Sequence, residues 1–91
     1  MKSTIPEFTS ANKAALLDVC DSLLNSTHYS SFRDLVNVGL TPDQREVILL
    51  YYLLEMSEEQ VAEVLSISRE AVHDRRRNAQ KKIKAEATKK P

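Results

Sequence analysis

Residues 68–84 read SREAVHDRRRNAQKKIK, and seven of the thirteen arginines and lysines in this 91-residue chain lie there. Arginine and lysine at this density suit phosphate oxygens, whose contacts are electrostatic and largely indifferent to sequence. Ser68 is placed to cap a helix through its hydroxyl, with Arg69 and Glu70 in the first turn. Val72, Ala79 and Ile83 recur at helical spacing, and the rest of that helix surface is mostly cationic. The pattern suits a helix lying in the DNA major groove, and equally the solvated outside of a small helical domain. Other chemistries find no support. His28 and His73 have no cysteine or carboxylate set at metal-ligand spacing, and Cys20 reads as a small core residue. There is no phosphate-cradling glycine loop and no nucleophile with a positioned base, so neither catalysis nor a metal or other cofactor is expected.

The elements that must position those residues are helical. A chain of 91 residues makes one small domain with a small core, and 42% hydrophobic residues are enough for a globule. One glycine, three prolines and no tryptophan argue against strands and turns. The expected fold is all-α, a small helical domain of four to five helices ending in a helix-turn-helix. Net charge is zero but sorted along the chain. Residues 1–68 carry four basic and ten acidic side chains (−6), and residues 69–91 carry nine basic and three acidic (+6). The basic end is the one suited to phosphates. The lone cysteine excludes an internal disulfide and fits a reducing cytoplasm, no signal peptide is visible, and VILLYYLL is too short to span a bilayer.

Pro6 disfavours helix at Ile5, so STIPEF should be extended or frayed. A helix follows from Thr9 or Ser10, with Leu16, Val19, Cys20, Leu23 and Leu24 along one side. SFRDLVNVGL gives a shorter helix that Gly39 would end. Residues 1–39 form an N-terminal helical extension expected to pack on the same domain as residues 40–91. In LTPDQREVILLYYLLEM, Thr41 is a good N-cap, Pro42 fits the first helical position, and Asp43 and Glu46 favour the positive end of the helix dipole. From Val47 to Leu54 this helix is apolar all round, which means burial on most sides or a face offered to a partner. Next, Ser57 caps a short helix, Gln60 completes its capping box, and Val61, Ala62 and Leu65 point inward. Ser66–Ser68 is then a tight connection to the arginine-rich helix. Two helices joined by so short a turn, the second one basic, are the layout of a helix-turn-helix, with Ile67 plugging the angle between them.

From Leu40 onward the sequence resembles region 4 of the bacterial sigma-70 family. The resemblance rests on Gln44-Arg45-Glu46, on Ser57 to Leu65 with Gln60 where the family has glutamate, on Ser68 to Val72, and on Ala79 to Ile83. The LuxR-type output domain is a more distant relative. Region 4 places its recognition helix in the major groove of a promoter element and docks on the flap of RNA polymerase. The resemblance therefore implies that Arg69 and Glu70 meet bases and backbone, with His73 and Asp74 at neighbouring groove-facing positions. Arginine pairs with guanine and glutamate with cytosine. Arg75, Arg76, Arg77, Lys81 and Lys82 would contact phosphates, as would Arg45, and Ser68 would sit at the helix start against the DNA. Family recognition helices carry an apolar residue where this chain has RRR. Either Arg75 or Arg76 is thus expected near the core, its stem packed and its head escaping to solvent. There is no room for sigma region 2, so a complete sigma factor is not expected.

Two readings follow. In the first, the chain is a transcription regulator that binds promoter DNA, RNA polymerase or both, and completes a split sigma factor or acts as an accessory regulator. In the second, it mimics region 4 and binds the polymerase flap or an anti-sigma partner without DNA, using Ile48, Tyr51 and Tyr52. A homodimer is open under either, and would set two recognition helices about one DNA turn apart.

Overall fold

The computed structural model describes residues 7–89, and the expected extended segment around Ile5 lies outside them. The described residues form five α-helices: α1 (Lys13–Leu24), α2 (Ser30–Val38), α3 (Pro42–Ile48), α4 (Glu58–Leu65) and α5 (Arg69–Lys89). Short 3-10 turns precede α1 and α2, so the first helix starts later than Ser10 and has no side-chain cap. The described residues include no strand. Gly39 follows α2 as expected but at φ −122, so the helix stops without the left-handed turn that would require glycine.

Three helix starts are built as their sequences dictate. Thr41 Oγ1 accepts from the Gln44 N–H at 3.2 Å, and Gln44 Oε1 accepts from the Thr41 N–H at 3.2 Å. Ser57 and Gln60 repeat the exchange at 3.1 and 2.9 Å. Ser68 Oγ accepts from the Ala71 N–H at 3.0 Å and opens α5. Each cap satisfies donors that the first helical turn leaves open, and losing such a cap typically costs about 1 kcal/mol.

The greasy segment is the hub of the core. Val47, Ile48, Leu49 and Leu50 are all fully buried, four residues in succession. A helix can bury every side only if it is surrounded, and here α1 packs on one side and α5 on another. The ladder also changes at this point. Leu49–Leu53 form a π turn, wider than α-helix, and the Met56 N–H reaches back to the Leu50 carbonyl at 3.3 Å to close it. The widening turns Leu54 and Met56 into the core while Tyr52 stays 43% exposed. Around this hub lie Leu16, Cys20 and Leu24 of α1, Val36 of α2, Val61, Ala62 and Val64 of α4, and Val72 and Ala79 of α5. On α4 it is Val64 that is buried, whereas Leu65 is half-buried. Burial pushes the Cys20 thiol up to about 12, with Asp21 adding to the effect and Arg45 opposing it, so the thiol stays protonated and inert.

Helix α4 ends at Ser66, which adopts φ 56 and ψ 44. The Ile67 N–H bonds the Ala62 carbonyl at 3.1 Å, six residues spanned as in a Schellman closure, and Ile67 packs on the core beneath. A left-handed conformation costs a non-glycine residue about 1–2 kcal/mol, part of which glycine gives back in unfolded-state entropy. Ser66→Gly should therefore raise stability by roughly 0.5–1 kcal/mol, read as a higher urea midpoint with an unchanged slope.

Candidate nucleic-acid interface

The α4–turn–α5 unit sets the first turn of α4 against the first three turns of α5. Glu58, the first residue of α4, is the centre of that junction. Its Oε2 accepts from His73 Nδ1 and from Arg76 Nε, each at 2.9 Å, with Arg76 Nη2 an ion-pair contact at 2.9 Å, while Oε1 stands 4.0 Å from Arg69 Nε. The His73 hydrogen bond, helped by Arg76 and opposed by burial, holds the Glu58 carboxyl below the usual carboxylate range. A carboxyl of this kind stabilises the fold fully above its unfolded value of about 4.3 and stops doing so as pH falls through its lower folded value.

Arg76 is the arginine of the RRR run that turns inward. Its stem lies near the core as expected, but its head does not escape to solvent. The guanidinium sits 4.8 Å over the Tyr51 ring, and the side chain is only 16% exposed. Burial disfavours its charge, and Glu58 with the two tyrosines more than restores it. This guanidinium holds α5 to α4 and to the π turn, which leaves little of it for a ligand.

The opposite side of α5 is a different surface. Glu70, Asp74, Arg77, Lys81 and Lys84 follow one another at spacings of four, three, four and three, so they form one ridge along the helix. All five are exposed, and none has a partner among the described residues. The sign changes along the ridge, from two carboxylates in the first turns to three cations beyond. Arg69 lies between this ridge and the junction, 66% exposed and 3.5 Å from Glu59.

The family model described as Sigma-70, region 4 matches residues 38–83, just over half of the chain. The chain belongs to this family. The match covers α3, the π turn, α4, the connection and α5 as far as Ile83, so this region 4 domain has the expected all-α helix-turn-helix fold. No curated protein and no solved structure shows a significant match to the chain.

Within the region 4 domain the sequence-derived candidates divide into three groups. Glu70, Asp74, Arg77 and Lys81 stand on the outward ridge, with Ser68 and Arg69 at its start. His73 and Arg76 belong to the Glu58 junction. Arg75 leans toward Asp43 at 4.0 Å, and Arg45 is held by Asn37 Oδ1 at 3.0 Å and Asp21 Oδ1 at 3.3 Å, tying α3 to α1 and α2. Of the three candidate partner contacts, Ile48 is fully buried and has no surface to offer, Tyr51 is half-buried under Arg76, and Tyr52 is exposed. Tyr52 accepts from Gln80 Nε2 and borders a shallow apolar depression with Phe32, Ile83 and Lys84. Sequence reasoning missed Glu58 and Lys84. For Lys84 the signal was available, since it continues the spacing of Arg77 and Lys81. Among the described residues no cluster of three or more His, Cys, Asp or Glu is arranged to hold a metal, and no helix is long and apolar enough to cross a membrane.

Proposed function

We propose that the domain binds duplex promoter DNA through α5 and acts in transcription, as a regulator or as part of a divided sigma factor. The observation that carries this reading is the outward ridge of α5, unpartnered among the described residues, on a helix held rigidly by α4. Arg77, Lys81 and Lys84 are placed to neutralise phosphates, with Arg75 and Lys82 alongside. Glu70 and Asp74 accept hydrogen bonds only, so in a groove they suit the exocyclic amine of cytosine and are repelled by phosphate. They supply discrimination, and the cations supply affinity. Arg69 pairs with guanine once it lets go of Glu59.

A second reading keeps the exposed Tyr52 and its apolar depression as a contact for RNA polymerase or a sigma or anti-sigma partner. The two readings separate in one experiment, fluorescence anisotropy with a labelled −35-type duplex at two salt concentrations. The expected result is binding that weakens steeply with salt, with a slope of several counterions. Absence of binding at low salt would sink the DNA reading for the isolated domain and leave the Tyr52 surface as the working one.

A further inference from the structure

His73 lies between the fold's interior junction and the ridge offered to DNA. Its Nδ1 is 2.9 Å from Glu58 Oε2, and its Nε2 has no partner among the described residues. The ring is about half-exposed and lines an open depression with Glu58, Arg69, Glu70 and Asp74. A carboxylate only accepts, so the proton of the neutral ring must sit on Nδ1. At 3.4 Å the Arg76 Nη2 contact to Nδ1 is the longer of the two, so the 2.9 Å carboxylate decides where the proton sits.

We propose that Glu58 is a positioning residue that fixes His73 with Nε2 turned to the DNA side, making His73 a duplex contact only when it is protonated. This rests on the DNA reading above. In the neutral ring Nε2 carries a lone pair, which a phosphate oxygen or a guanine edge repels. In the charged ring it carries N–H and a positive charge, which both attract. The charged and titratable groups around the ring and its Arg76 neighbour are Glu58 and Glu59 on α4, Arg69, Glu70, Asp74 and Arg76 on α5, and Tyr51 and Tyr52 from the π turn. The sign is then fixed. Duplex affinity is highest where the imidazole carries its second proton and falls as that proton is lost. One added phosphate-type contact at 0.1 M salt amounts to roughly fivefold to tenfold in affinity.

Two measurements test this, one without DNA. The chain has two histidines, and exposed His28 serves as internal reference. Nitrogen-15 NMR of the free protein at about pH 8 should show His73 as the Nδ1–H tautomer, reverting in Glu58→Ala to the form His28 shows. His73 carrying its proton on Nε2 in the unaltered protein would overturn the positioning role, whether or not Glu58→Ala folds. Anisotropy with a labelled mixed-sequence duplex should then show binding roughly fivefold to tenfold tighter at about pH 5.5 than at about pH 8. In His73→Gln that difference should vanish. Equal binding at both pH values, or the same pH dependence in His73→Gln, would overturn the inference and leave the DNA reading intact. No binding at either pH would remove the DNA reading and this inference together.

Discussion

Replacing Arg77, Lys81 and Lys84 together with alanine will lower duplex affinity by about two to three orders of magnitude at 0.1 M salt. Each phosphate neutralised contributes about 0.9 to the slope of log affinity against log salt. The triple variant should therefore also lose close to three units of that slope, and the slope is the sharper readout because a general loss of folded protein leaves it unchanged. All three side chains are exposed and have no partner among the described residues, so the fold should not notice their removal. Lys13→Ala, which removes a cation from the acidic half of the molecule where it pairs with Glu46 at 3.4 Å, should leave the slope alone. An unchanged slope in the triple variant would mean that the ridge does not face phosphate. Arg76→Ala is a poorer probe, because it leaves Glu58 without its main counter-charge and strikes the fold first.

The largest effect on stability is expected at the hub. Leu50 is fully buried inside the π turn, which packs on α1 and α4. Truncating a buried leucine to alanine costs about 2–5 kcal/mol, and a domain of this size has roughly 5–14 kcal/mol in all. At mid-range values Leu50→Ala should thus remove roughly a third of the total, seen as a large fall in urea midpoint at constant slope. Tyr52→Ala, two residues on but exposed, should cost under about 1 kcal/mol. Comparable losses at the two positions would mean that the segment is not buried on all sides.

Much of the fold could be read in advance because its boundaries are local. Thr41, Ser57 and Ser68 announce helix starts with bonds that span three residues, and the apolar spacing of Leu16, Cys20 and Leu24 needs only one helix to be understood. The π turn was not legible, since VILLYYLL satisfies an ordinary helix equally well and nothing local marks where the wider ladder begins. The site divides along the same line. The cations of α5 are visible as a run, but which of them face outward depends on partners elsewhere. Arg76 and Arg77 are adjacent and identical in type, yet one is held by a carboxylate 18 residues earlier and the other has no partner among the described residues. Nothing local marks Glu58 as the residue that makes this choice.

Helix α4 is entered and left through residues that bend the wrong way for L-amino acids, Glu55 at φ 54 and Ser66 at φ 56. In a chain with a single glycine, placed elsewhere, neither corner is relaxed by its own chemistry. Both are kept bent by what α4 does in between, its apolar side set into the core and its first residue gripping α5. Such a helix behaves like a latch between two bent springs. It stays shut while its own contacts hold, and once they fail both ends push it open at once. The connection between α4 and α5 should accordingly have no half-open state, with α5 either fully supported or not supported at all.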